Sequence, residues 1–314
     1  VRPVSRVARV VAASLCASLA LLPAPVPAAA TPSVGAVFPT LARNLVAYYD
    51  FEHPVRGRPE LERDQGRSGT DLWLVNGGAE MRIRDRGGHA LVTRQVDPAT
   101  AGNDDWKAGV YAADGVPTLR AFNGARQISV LGWFKVTGEL PALNSTTPAP
   151  DDRYNAVGLA GVLSGDSDGH AVRALLEVID VAGELRVVAL GRRVDGASSQ
   201  TFAASADWRE VLPRGRWVHL AATFDFDTGE MALYRNGRPL PGTYTVAGDP
   251  WAVTGPPEPD RASPTDPAGI KIGGSFPQDT LERNPCDCRM DGLMFLDRAV
   301  SPVEVWAQYH WSRS

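Results

Sequence analysis

The sequence predicts an all-β fold: a two-sheet antiparallel jelly-roll sandwich with one short C-terminal helix. Three observations carry this. Residues 217–226 alternate, with Val218, Leu220, Ala222, Phe224 and Phe226 on one face. Turn pairs recur between short apolar runs, among them Ala182 with Gly183, Thr228 with Gly229, and Asn236 with Gly237. Helical periodicity is almost absent, and many strands with few helices favour a sandwich or jelly roll.

In chain order, residues 44–51 form the first strand. Residues 128–136 form another, in which Trp133 and Lys135 alternate with Gly132, Phe134 and Val136. Residues 174–181 and 185–190 form a hairpin across Ala182 and Gly183. Residues 217–226 turn at Thr228 and Gly229 into 231–235, which ends in the strong hairpin signal Asn236-Gly237. Residues 270–273 and 293–296 are further short strands. Trp73, Trp133 and Trp217 sit in strand patterns and are expected in the core. One helix is expected over 302–310. Ser301 precedes Pro302 and Glu304 follows three residues later, a capping box with proline at the first helical position. Trp306 and Trp311 are expected to pack this helix onto a sheet. Residues 141–153, 196–208 and 247–269 are read as loops.

Residues 1–30 carry the pattern of a secretory signal peptide. Arg2, Arg6 and Arg9 precede an uncharged apolar run over 10–22, and Ala28, Ala29 and Ala30 close the segment. That run is shorter than the roughly 20 residues a membrane-spanning helix needs. Cleavage after Ala30 takes three of the 32 basic residues and none of the 36 acidic ones, leaving a net charge of -7. We therefore expect a secreted, acidic protein with no membrane span in the mature chain and no basic field for nucleic acid. Residues 31–42 are expected to be a mobile entry linker and 43–314 a single domain.

Several segments resemble a known family. Residues 45–52 (LVAYYDFE) resemble the opening strand of bacterial laminin G-like, concanavalin A-like jelly rolls. Residues 64–69 (DQGRSG), followed by 74–77 (LVNG), look like the family's early turn. Residues 128–138 resemble the strand that carries a Trp and a basic residue. Residues 215–225 (GRWVHLAATFD), then Gly229 and 233–237 (LYRNG), are the most specific likeness. Residues 290–304 (MDGLMFLDRAVSPVE) resemble the closing strand and helix. Pentraxins share this fold. The resemblance implies two stacked sheets and a mostly non-catalytic role, in glycan binding, adhesion or as an accessory to enzymes, often with calcium.

The residues themselves offer little catalysis. Glu177, Asp180 and Glu184 are the nearest carboxylates to a glycosidase pair. Glu177 and Asp180 differ by three positions and point to opposite faces of a strand, and Glu184 lies past the turn. No Gly-x-Ser-x-Gly elbow and no zinc spacing occurs among the five His. His219 is read as structural. No catalytic residue is assigned. A polysaccharide hydrolase or lyase and a protein-binding adhesion module remain the alternatives.

Calcium is the expected metal, because carboxylates and carbonyls in tight loops suit a hard cation. Asp166 and Asp168 share one Gly-flanked loop. Gln278 and Asp279 occupy the place where pentraxins carry their second calcium-binding segment. Asp64 with Asp291 is the alternative pair. Cys286 and Cys288, the only cysteines after residue 30, are expected to form a local disulfide in an oxidising compartment, with intermolecular pairing as the alternative. Glycan or cell-surface material is the expected partner. Trp106, Asp104, Tyr154 and Trp251, in polar loop-like text, are the candidate contacts.

Overall fold

The structure is a computed structural model. It describes residues 36–94, 96, 105–112, 115–138, 157–163, 172–192, 199–246, 267–274 and 286–313. In chain order the strands are β1 (Leu45–Tyr49), β2 (Pro54–Val55), β3 (Arg58–Glu62), β4 (Leu72–Val75), β5 (Arg82–Asp85) and β6 (Gly88–Thr93). Next come β7 (Lys107–Tyr111), β8 (Gln127–Val136), β9 (Val157–Leu163), β10 (Val172–Val181), β11 (Glu184–Arg192) and β12 (Ser199–Ala204). The last six are β13 (Val218–Asp225), β14 (Met231–Arg235), β15 (Arg238–Leu240), β16 (Gly242–Tyr244), β17 (Gly269–Ile272) and β18 (Cys288–Leu296). Two short helices join them, α1 (Trp208–Val211) and α2 (Pro302–Trp311).

All pairings are antiparallel and make two sheets. The eight-stranded sheet runs β15-β14-β13-β8-β18-β6-β5, with β1 also paired to β18. The ten-stranded sheet runs β16-β12-β11-β10-β9-β17-β7-β4-β3-β2. The core lies between them. Val218, Leu220, Ala222, Phe224 and Phe226 all enter it, as their alternation predicts. They share one cluster with Leu72, Leu74, Ile270, Ile272, Leu176 and Val187 of the facing sheet. Burying each such side chain contributes roughly 1.5–3 kcal/mol.

The turns follow backbone chemistry. Ala182 and Gly183 both have positive φ (55° and 89°), as do Asn236 and Gly237 (51° and 77°), the requirement of a two-residue hairpin turn. On α2 the capping box forms: Ser301 accepts the Glu304 N–H and the Glu304 side chain accepts the Ser301 N–H.

Five expectations need correction. In the entry segment, residues 36–42 are docked rather than mobile. Leu41 is buried, and Gln308 of α2 takes the Phe38 N–H at 2.7 Å and donates to the Ala36 carbonyl at 2.7 Å. Within 196–208, residues 199–204 are strand β12, paired with β11 and β16. Trp73 is 44% exposed, because it shares parity with Asp71 and not with the inward Leu72 and Leu74. Trp133 is buried and Trp217 half-buried, but both on the outer side of their sheet, Trp133 against His219 and Tyr309 and Trp217 donating to Asp85. Trp306 and Trp311 do not seat the helix; they are 52% and 41% exposed, and Val305 and Gln308 are the buried positions.

Candidate functional site

The exposed Trp73 lies toward one edge of the ten-stranded sheet. It stands opposite Leu61 on β3 and opposite Gly109 on β7. Leu61 is buried and supports the indole from the side. Arg63, just after β3, and Asp71, just before β4, are both exposed and lie two residues along the chain from Leu61 and Trp73. An indole face with a carboxylate and a guanidinium beside it can stack on an apolar ring face and hydrogen-bond hydroxyl groups. Toward the centre of the same sheet the outward side chains are polar but buried: Lys107, Lys271 and Glu177. A methyl group on Gly158 would come within 2.7 Å of Lys271 Cε, so the lysine chain lies across that glycine.

On the other sheet the outward face is a charged network under α2. The β18 bulge between Asp291 and Met294, with Gly292 at φ 58°, marks where β6 gives way to β1 as the neighbour of β18. There Asp291 Oδ2 accepts from Arg86 Nη1 at 2.6 Å, and the Arg86 guanidinium lies 3.9 Å over the Trp133 ring. Burial pushes the Asp291 carboxyl up to about 6 despite that arginine. Asp85 accepts from Lys135, Arg289 and Trp217 Nε1, and these bonds hold its carboxyl well below the usual range although partial burial opposes them. Burial lowers His219 to about 3, so the ring is neutral.

Of the residues singled out in the sequence, Trp106 is placed but not free to stack. It is half-buried against Gly77, and Arg94 covers its ring at 3.6 Å. Asp104, Tyr154 and Trp251 lie outside the described residues, as do Asp166, Asp168, Gln278 and Asp279. Asp64 is engaged by four donors: the N–H groups of Tyr48 (2.7 Å), Gly66 (2.6 Å) and Thr70 (3.4 Å), and Ser68 Oγ (2.6 Å). Asp291 faces Arg86. Each of the two carboxylates is thus engaged in its own surroundings, Asp64 by backbone and hydroxyl donors and Asp291 by Arg86. Cys286 and Cys288 are joined as a disulfide, with Cα atoms 5.1 Å apart.

The carboxylates weighed for hydrolysis do not converge. Glu177 is buried on the outward side of β10. Asp180 Oδ1 instead accepts the Gly183 N–H at 2.7 Å in the hairpin turn, and Glu184 pairs with Arg186.

Sequence reasoning missed Trp73. The signal was present, because Asp71 and Trp73 alternate with Leu72 and Leu74. It also missed a group in which Asp50, His53 and Glu62 approach one another within 4.8 Å. No short motif announces that group, since Glu62 arrives on a different strand.

No protein-family model matches the chain, and no curated protein matches it. Solved structures do. Trypanosoma rangeli sialidase, in complex with 2,3-difluorosialic acid as a covalent intermediate, is 14% identical with a TM-score of 0.50; the match covers 85% of this chain and 33% of that one. Botulinum neurotoxin type C, whose cell entry depends on interaction with two ganglioside molecules, is 10% identical with a TM-score of 0.51; the match covers 88% of this chain and 53% of that one. The chain thus spans a third to about half the length of these structures. At such identities the likeness is one of fold, a β-sandwich.

Proposed function

We propose that this chain is a secreted, non-catalytic glycan-binding module of the laminin G-like, concanavalin A-like type. The observation that carries the proposal is Trp73, 44% exposed on the outer face of its sheet, with Asp71 and Arg63 beyond one end of it. With Leu72 and Leu74 fully buried on the other face of the strand, the indole is offered to solvent rather than to the core. Rigid presentation is the mechanism: the sandwich holds the indole for a sugar ring, and the flanking charges choose its hydroxyl pattern. The proposal extends to calcium at Asp166, Asp168, Gln278 and Asp279, tested by thermal melting with EDTA and with millimolar calcium. Calcium that binds the folded state raises the melting temperature.

A glycan array tests the main claim. The wild-type protein should bind a defined glycan class, and Trp73→Ala should lose that binding while remaining folded. A folded variant that binds like wild type removes the proposal. Adhesion to a protein is the second reading, favoured by the exposed Val303 (73%) and Trp306 (52%) on α2. Binding abolished by Trp306→Ala and unaffected by Trp73→Ala would favour it.

A further inference from the structure

Near the edges of the two sheets, Arg82 of β5 reaches Glu62 of β3, the strand next to the edge strand β2. Asp50 follows β1, His53 precedes β2 and Glu62 ends β3. One ligand atom of each lies within 4.8 Å of the others, the only such group of three His, Cys, Asp or Glu among the described residues. Asp50 and Glu62 are buried, whereas the His53 side chain keeps 33% of its surface open to solvent.

The three side chains are already aimed. Glu62 Oε1 accepts the His53 N–H at 2.8 Å, and Oε2 accepts from Arg82 Nε at 2.7 Å. Asp50 Oδ1 accepts the Glu52 N–H at 3.2 Å and lies 2.8 Å from His53 Nδ1. The Asp50 charge reaches both Glu62 and Asp291. Arg82 pairs with Glu62 and Arg86 with Asp291, which leaves the Asp50 carboxylate, its side chain 11% exposed, with only the His53 ring as its ionic partner among the described residues. A buried charge of this kind needs a counter-ion or a proton.

The donor set is two carboxylate oxygens and one imidazole nitrogen. Calcium and magnesium prefer oxygen alone, whereas zinc and its first-row neighbours take this mixture readily. Three protein ligands leave a fourth position for water on the side that His53 leaves open.

We propose that Asp50, His53 and Glu62 bind a divalent transition metal, with zinc the best fit. The metal takes the place of the hydrogen bond between His53 Nδ1 and Asp50. The Nδ1 proton of that bond is displaced, to Nε2 or to solvent, as the nitrogen lone pair turns to the metal. Arg82 acts as an outer partner that fixes the orientation of Glu62. This site is independent of the glycan proposal, because Glu62 points to the opposite side of β3 from Leu61 and the Trp73 platform.

Titration calorimetry of untagged, EDTA-treated protein with zinc tests it, alongside His53→Ala and a control, His89→Ala. His89 pairs with Glu52 and lies outside the group. The expected result is one zinc per chain, tightened or unchanged by His89→Ala, and weakened at least about tenfold by His53→Ala, the scale seen when a ligand or its close partner is removed. Melting curves of the variants without zinc show that each is folded. No heat of binding to the wild type, or equal weakening by both variants, or full binding by a folded His53→Ala protein, would overturn the assignment.

Discussion

Trp73 and Leu61 are cross-strand partners: the indole on β4 rests beside a buried leucine on β3 and leaves 44% of its own surface in solvent. A side chain so placed contributes contact area to a ligand and little to the fold. Trp73→Ala is therefore expected to change stability by less than about 1 kcal/mol. Trp106→Ala, which empties a site packed on Gly77 and under Arg94, should cost more than about 2 kcal/mol. Denaturant melts of the two variants check the contrast, and equal losses would argue that Trp73 is a packing residue.

The capping box of α2 sets a second expectation. Ser301→Ala removes the acceptor of the Glu304 N–H and should cost about 1 kcal/mol. Glu304 is held at about 2, chiefly by Arg298, below its ordinary carboxyl value. A lowered folded value means this carboxylate stabilises the protein above about pH 4.5, and its contribution fades as the pH falls toward 2. A chemical-denaturation series between pH 2 and 5 on wild type and Glu304→Gln should show a shallower acid loss in the variant.

Asp291 behaves in the opposite sense. Burial raises its folded value to about 6, above the ordinary 3.8 of an unfolded chain. Between those values the native protein holds a proton that the unfolded chain releases. The group thus favours folding most below about pH 4, and that advantage is lost as the pH rises through 6. The difference amounts to at most about 3 kcal/mol. Asp291→Asn should flatten the stability profile between pH 4 and 6. An unchanged profile would place the titration elsewhere.

The disulfide between Cys286 and Cys288 closes a very short loop, so chain entropy assigns it only about 1–2 kcal/mol. Native protein should resist alkylation until reductant is added, remain monomeric with respect to disulfide linkage, and melt slightly earlier once reduced. Alkylation without reductant would show free thiols.

Much of the architecture was legible in local chemistry. The alternation of 218–226, the Asn236-Gly237 turn and the Ser301–Glu304 box each depend on residues close in sequence, and each forms. The short outer strands were not legible. Strand β3 reads Arg-Pro-Glu-Leu-Glu, and its partner β2 is two residues long, so neither shows an apolar face. The helix tryptophans misled because helix parity, set by the buried Val305 and Gln308, turns Trp306 outward. The group of Asp50, His53 and Glu62 needs the ends of β1 and β3, strands of different sheets, brought together, which no spacing in the chain announces.

The most direct measurement follows the indole N–H signals by two-dimensional NMR while the best glycan from the array is added. The account predicts that the Trp73 signal, assigned by its loss in Trp73→Ala, moves progressively to saturation, while that of the buried Trp208 stays in place. A Trp73 signal that does not move, at glycan concentrations where the protein is fully bound, would contradict it.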